Sequence, residues 1–370
     1  MKKKIKVAVL FGGRSGEHEV SIVSANSIFR ALNKDKYDVH LIGIDKLGRW
    51  TSVSSERFLA HSSNPRGLDL GASSNTQWPV AFPSEISMID IDTKSSEQKF
   101  DVVFPVLHGT YGEDGTLQGL LELSQIPYVG SGVLGSAVGM DKDVSRRLLH
   151  LAGIPVVPTR CYRHHQFQKD PDSILKEIAD DLGYPYFVKP ANMGSSVGVA
   201  KVKSLSEARQ KVTDAFAYDT KILVEKGVDA RELEVSVLGN YFPKASIVGE
   251  IIPTHEFYSY EAKYLDENGA HLKIPAEDLT PEMRTRITEL AIKAFQALEC
   301  CGLARVDFFL DRKTNELYLN EINTMPGFTN ISMYPKLWEA SGLNYSELLD
   351  QLIELALERH AERSQLKTSL

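Results

Sequence analysis

The chain opens on a strand-like run, Ile5 to Phe11, that is apolar without a break from Val7 onward. Gly12-Gly13 cuts it, helical apolar spacing follows from Glu19 to Leu32, and a second run spans Val39 to Ile44. Apolar residues in unbroken succession suit a strand covered on both faces, and a strand–helix–strand succession closes almost always as a right-handed parallel crossover. The first unit is therefore predicted to hold a parallel sheet with a binding crevice at the carboxyl ends of its strands. Asp101 to Leu107 reads as a further buried strand ending at His108-Gly109, Gly115 to Ser124 as a helix, and Tyr128-Val129-Gly130 as the close of the unit. Residues 51–98 are serine-rich and weakly patterned, an elaborated surface region with no function assigned.

Past Met140-Asp141 the pattern changes. Helices are predicted over Lys142 to Ala152 and Ser173 to Leu182, and strands over Tyr186 to Lys189, Val197 to Val202, Ile222 to Lys226 and Glu232 to Leu238. Residues 253–276 show neither periodicity, and so long a patternless stretch in a compact chain reads as a lid. Thr280 is placed to cap a helix with Pro281 at its first position, and Ile287, Leu290, Ala291, Ala294, Phe295 and Leu298 form its apolar face. A hairpin over 303–322 and closing helices follow. The 370 residues are enough for two or three packed units.

Charge and composition narrow the function. A net charge of −7 argues against a nucleic-acid partner, which usually meets a basic excess. No stretch approaches the roughly 20 apolar residues that span a bilayer. Three cysteines, Cys161, Cys300 and Cys301, make a poor disulfide framework and fit a reducing cytoplasm.

The hairpin carries the most chemistry. If Ala304 to Leu310 and Leu317 to Asn323 pair antiparallel about Thr314, Asp307 lies opposite Glu321 and Arg305 opposite Asn323. Alternation then puts these four on one face, with Val306, Phe308 and Ile322 toward the core. Facing carboxylates repel, so a cation is the natural compensation, and hard oxygen donors with an amide suit Mg²⁺ bridging nucleotide phosphates. An arbitrary hairpin of this kind is more often a solvated face with Arg305 neutralising the acids; Asn323 and the Thr324-Met325-Pro326-Gly327 turn shift the balance toward a site.

Lys189 to Gly198 contains Gly194, Ser195, Ser196 and Gly198 between two strands, where backbone N–H groups can meet phosphate oxygens with a lysine beside them. The spacing is neither a Walker A motif nor a dinucleotide fingerprint. Lys142, at a helix start, could reach the same phosphates. Glu225-Lys226-Gly227-Val228 with Glu232 reads on its own as an exposed, charged strand end.

In order along the chain, these pieces resemble the ATP-grasp superfamily, specifically the D-alanine–D-alanine ligases. The matching segments are Gly12 to Ser21, His108 to Gly115, Lys189 to Gly198, Tyr260 to Tyr264 and Asn320 to Gly327, and the resemblance runs over nearly the whole chain. It implies an α/β protein of three domains: an N-terminal parallel-sheet, Rossmann-like pre-ATP-grasp domain over 1–130, a central ATP-grasp domain over 131–223, and a C-terminal domain over 224–370 with the metal hairpin and lid, the last two being α+β domains that sandwich ATP.

The resemblance also implies roles. Lys142, Lys189, Ser195 and Ser196 would meet the phosphates of ATP; Glu225, Lys226, Val228 and Glu232 would hold adenine and ribose. Asn320 and Glu321 would contact ATP as well, and Asp307, Glu321 and Asn323 would bind two Mg²⁺ ions, or Mn²⁺ in their place. Lys263 would offset charge on the γ-phosphoryl group. Glu17 would pair with the first D-alanine's ammonium, and Ser195 and Tyr264 would link Glu17 to the lid. Arg305 and the Gly327 N–H would stabilise the oxyanion, while His108, Tyr258, Ser332 and Met333 would line the substrates. The reaction implied is attack of one D-alanine carboxylate on ATP, then of a second D-alanine's amine on the acyl phosphate, for peptidoglycan precursors. A cytoplasmic homodimer is implied as well.

The sequence departs from the family pattern at Met333, where leucine is common, at Asn192-Met193, and in the length of 51–98. Three rivals stand beside this reading. A ligase taking D-lactate or D-serine second is disfavoured by Tyr260 to Tyr264. A glutathione-synthetase-like ligase is disfavoured by Glu17 and the His108-Gly109 motif. A nucleotide binder that has lost its chemistry is disfavoured because the metal set and Arg305 are all present.

Overall fold

The computed structural model describes residues 3–61, 64–70, 76–82, 85–90, 99–253 and 270–367, with backbone alone for 76–90. The strands are β1 (Ile5–Gly12), β2 (Tyr37–Ile44), β3 (Trp50–Val53), β4 (Thr76–Phe82), β5 (Glu85–Asp90), β6 (Val102–Val106), β7 (Thr159–Arg163), β8 (Tyr186–Pro190), β9 (Ala200–Val202), β10 (Lys221–Lys226), β11 (Ala230–Gly239), β12 (Lys244–Ala245), β13 (Gly249–Pro253), β14 (Ala270–Lys273), β15 (Gly302–Asp311) and β16 (Leu317–Asn323). They form three sheets, ordered β5-β4-β3-β2-β1-β6, β7-β10-β8-β9 and β14-β13-β11-β15-β16 with β12 beside β11.

The predicted crossover is present. β1 pairs in parallel with β2 and β6, and the helix His18–Ala31 crosses between the first two. Val7 to Phe11 are buried throughout, which is why this stretch carries no polar alternation. The region 51–98 is more than surface elaboration: β3, β4 and β5 extend the sheet antiparallel beyond β2.

The units interlock more than the sequence suggests. The 223/224 boundary falls inside β10, whose residues pair with β7 and β8. Leu149 and Ile154 share a core with Val306, Phe308 and Leu319 of the third sheet, and Val156 bridges to Leu319, so the stretch expected to open the middle unit packs on the third. Leu348, Leu352 and Ile353 of the closing helix Tyr345–Arg363 pack with Val7, Val9 and Phe104 of the first unit. Apolar periodicity says that a face is covered; it does not say by which unit.

Two smaller differences concern loops. The strand expected over Val197 to Val202 is formed only at Ala200–Val202, because Gly198 is left-handed (φ +71°) and a side chain there would strike Pro190 and Tyr218. Part of the expected lid is sheet: β14 pairs with β13, Ile251 facing Leu272, and Ala276 is buried. The cap at Thr280 is as predicted, its hydroxyl accepting from the Met283 N–H at 3.2 Å with Pro281 at the first position.

Candidate active site

Three loops converge where the sheets meet. The first follows β1 and carries Glu17, only 7% exposed. The second is the glycine–serine loop after β8. Ser195 donates its hydroxyl to Glu17 Oε1 across 178 residues of chain. Ser195 and Ser196 are both left-handed (φ +48° and +61°), a conformation costly for residues with a Cβ and found most often where a loop is held for function. The third is the loop after β6: Gly109 is left-handed, and a side chain there would stand 2.6 Å from Glu17 Oε2. A cavity of about 500 Å³ opens beside Glu17, with Arg14, Ser15, Tyr111, Met193 and Gly194 among its walls.

Two lysines hold this arrangement. Lys142 opens the helix Lys142–Leu151 and donates to Met193 O at 2.7 Å, with Glu321 at 3.5 Å. Its backbone N–H donates to Ala191 O. Lys189 reaches Glu225 at 2.6 Å and Asn320 Oδ1 at 3.4 Å. The Lys142 ammonium thus borders the glycine–serine loop and the hairpin, and the Lys189 ammonium borders Glu225 and the hairpin. Glu225 is turned inward, 2% exposed, and paired with Arg146 as well as Lys189. Burial alone would raise its pKa, but these two cations outweigh burial and hold the carboxyl below its ordinary range. Lys226 is exposed, Val228 and Glu232 half-buried, at the edge of the same region.

The hairpin pairs in the predicted register: Asp307 faces Glu321 and Arg305 faces Asn323. A bulge then shifts the register so that Phe308 faces Leu319, leaving Asn320 as the extra residue. A bulge breaks strict alternation, and here the adjacent residues Asn320 and Glu321 are both half-buried between buried Leu319 and Ile322. Arg305 grips Asp307 with Nε at 2.8 Å and Nη2 at 2.7 Å and contacts Glu234 at 3.0 Å; Asn323 Nδ2 donates to Asp307 at 3.0 Å. Among the described residues no group of three or more His, Cys, Asp or Glu gathers as a metal cage. Two carboxylates and an amide remain, a donor set suited to a hard cation that completes its shell with phosphate oxygens and water.

Glu113, a residue with no role legible in the sequence, is half-buried beside Glu17. Its Oε2 accepts from the Gly109 N–H at 2.6 Å and its Oε1 from the Met325 N–H at 3.2 Å. His108 Nδ1 lies 3.0 Å from Met325 O.

Comparison with known proteins bears on the whole assembly. Family models described as D-ala D-ala ligase N-terminus and C-terminus match residues 6–131 and 148–354. A D-alanine–D-alanine ligase of Shouchella clausii (strain KSM-K16) is 49% identical over 370 residues, covering 100% of this chain and 99% of its own. The chain belongs to the D-alanine–D-alanine ligase family. Among solved structures, the D-alanine-D-alanine ligase from Coxiella burnetii superposes with a TM-score of 0.86 at 41% identity, over 98% of this chain and 96% of that one. The VanG D-Ala:D-Ser ligase from Enterococcus faecalis gives 0.83 at 37% identity, over 96% and 100%.

Within this family member the named residues do not all reach the cavity. Gly327 lies under Ser332, whose hydroxyl would be 2.8 Å from a Cβ there and would have to shift to admit a side chain. Ser332 accepts from the Thr329 N–H at 3.0 Å. The Met333 side chain is buried with Ile251 and Leu337, because the helix Met333–Ala340 packs that face on the third sheet. Tyr258, Lys263 and Tyr264 lie outside the described residues.

Burial, and then the neighbouring Glu17, pushes the Glu113 carboxyl up to about 8, against the pull of its two N–H donors and of Lys142. A carboxyl raised in the folded state binds its proton more tightly there than in the unfolded chain. Its contribution to stability is therefore complete below its ordinary value of 4.5 and is lost as pH rises toward 8. Glu113→Gln is expected to flatten the fall in melting temperature between pH 5.5 and 8; an unchanged slope would refute the assignment.

Proposed function

We propose that the chain condenses two D-alanines to D-alanyl-D-alanine at the expense of ATP. The observation that carries this reading is the Ser195–Glu17 contact: it sets a loop suited to phosphate directly against a buried carboxylate suited to an amino acid's ammonium. An α-amino acid needs an anion for its nitrogen, and a site that phosphorylates its carboxylate needs phosphate donors within a few ångströms. Both are met here by neighbours.

In this reading Lys142 and Lys189 exchange their present partners for phosphate oxygens, and Glu225, Lys226, Val228 and Glu232 border adenine and ribose. The first D-alanine places its ammonium on Glu17 and its carboxylate toward the lysines, so that oxygen attacks the γ-phosphorus and ADP leaves. Catalysis of such a step is mostly positioning and charge neutralisation, which needs no covalent enzyme group. The second D-alanine's amine attacks the acyl phosphate; Arg305 and the Gly327 N–H face the oxyanion, and phosphate is expelled as the tetrahedral centre collapses. Asp307, Glu321 and Asn323 are the residues to hold Mg²⁺, two ions in this reading, which would neutralise phosphate charge. Closure of the segment around 253–276, with Tyr258, Lys263 and Tyr264, would keep water from the acyl phosphate.

The domain division is part of the same proposal, with its second boundary moved past Lys226 to follow β10. No helix of the described residues is long and apolar enough to cross a membrane. A cytoplasmic homodimer rests on the family resemblance, and light scattering would read the dimer against the 41.2 kDa chain.

The test is phosphate release from ATP and Mg²⁺ with D-alanine, L-alanine, or D-alanine plus D-lactate. D-alanine alone should give phosphate and D-alanyl-D-alanine in equal amounts, and a chelator should abolish both. Preference for D-lactate near neutral pH would move the second subsite to another product; no D-alanine-dependent release would end the reading.

A further inference from the structure

The turn after β16, Met325 to Phe328, is gripped on both sides of Gly327. Glu113 takes the Met325 N–H and His108 contacts the Met325 carbonyl. Ser24 accepts from the Phe328 N–H at 3.3 Å, and the Tyr345 hydroxyl donates to the Phe328 carbonyl at 2.7 Å. A carbonyl only accepts, so His108 Nδ1 carries the proton; burial lowers the His108 pKa and favours the neutral ring. Nε2 is then an acceptor, and Ser24 Oγ, 3.3 Å away, donates to it. The bonds run one way: Ser24 to His108 to Met325. None of these grips uses the N–H of Gly327.

Three of the four groups belong to the first unit, while the turn belongs to the third. Glu113 joins the two directly, because its second oxygen holds the Gly109 N–H. A second acidic group beside Glu17 is costly to ionise, and a turn that needed only mechanical support would be served by an amide or a hydroxyl. A carboxyl group offers two separate oxygens and so takes two N–H groups at once on fixed vectors, which an amide of that length, with one oxygen, cannot do.

We infer that Glu113 is a positioning residue for the ligation: with His108 and Ser24 it holds the Met325–Phe328 turn so that the Gly327 N–H points at the oxyanion of the tetrahedral centre. The inference rests on the reading of the site as a D-alanine ligase. A donor held for the transition state alone affects kcat and not substrate affinity. Glu113 touches no reacting atom, and its effect passes wholly through Gly327.

The experiment compares wild type, Glu113→Gln and Ser24→Ala in full-length protein. Steady-state kinetics for D-alanine and ATP are measured together with binding of a phosphinate dipeptide, which mimics the tetrahedral carbon. Glu113→Gln keeps the volume but loses one acceptor. It is expected to lower kcat by about 10- to 100-fold, a displaced donor mattering somewhat less than a deleted one, with both KM values nearly unchanged. Phosphinate affinity should fall by the same factor as kcat, and Ser24→Ala should show the same pattern more weakly. A rise in KM with kcat kept, or a loss of kcat with phosphinate affinity intact, would overturn the inference. If Glu113→Gln does not fold, Ser24→Ala decides by the same two readouts. Wild type without D-alanine turnover would remove the reading beneath it, a result distinct from any variant effect.

Discussion

Arg305→Met is expected to lower kcat by about 10²–10³-fold, the range for deleting a donor aimed at a developing oxyanion, while ATP affinity changes little. The guanidinium stands on β15 between Glu234 and Asp307, and its Nε and Nη2 fix its plane by gripping both oxygens of Asp307. A plane fixed before substrate arrives needs no reorganisation during the reaction, and that preorganisation is the source of the rate effect. Removal has a second consequence. Glu234 and Asp307 are direct cross-strand neighbours, so without Arg305 two carboxylates face each other and the melting temperature should fall too. Arg305→Lys separates the two effects: it restores the charge but not the planar fork, and should recover most of the stability and little of the rate. Steady-state kinetics and thermal melts on both variants check this. A methionine variant within a few-fold of wild-type kcat would rule Arg305 out as the oxyanion donor.

Much of the site was legible because its chemistry is local in sequence. The register of Asp307 with Glu321 follows from counting about Thr314, and Lys189 to Gly198 announces itself through glycine and serine between two strands. What escaped is long-range. Glu113 lies within a recognised segment, yet its reason for being an acid is the Met325 N–H, 212 residues away. Arg146 reads as one more charged residue on an amphipathic helix; only folding shows that it enters the space between Glu225 and Asn320. Glu234 alternates like any strand residue until β15 is laid beside it. The bulge at Asn320 is invisible for a different reason: a one-residue register shift leaves no mark on composition and shows only once both strands are paired.

Arg146→Met is expected to destabilise the protein by roughly 3–5 kcal/mol, the cost of leaving one partner of a buried ion pair uncompensated. The side chain is 6% exposed and Glu225 3%, so water cannot take over the lost charge. Arg146 also donates to the Val157 carbonyl at 3.3 Å, Thr159 Oγ1 at 3.1 Å and the Asn320 carbonyl at 3.2 Å, bonds that tie the helix Lys142–Leu151 to the start of β7 and to the bulge in β16. Function should suffer through a neighbour. Glu225, its carboxyl no longer shared with Arg146, draws Lys189 more strongly from 2.6 Å and away from phosphate, so nucleotide affinity should fall alongside stability. The pair Arg146→Met, Glu225→Leu removes both charges and should regain much of the stability, since a buried ion pair replaced by apolar residues is often neutral. It should not restore nucleotide affinity to the same degree, because Glu225 is also what holds Lys189 in place. Urea melts and nucleotide titrations on the single and double variants separate the two effects. If the double variant is no more stable than Arg146→Met alone, the destabilisation comes from the three lost carbonyl and hydroxyl bonds, and the buried charge is not its cause.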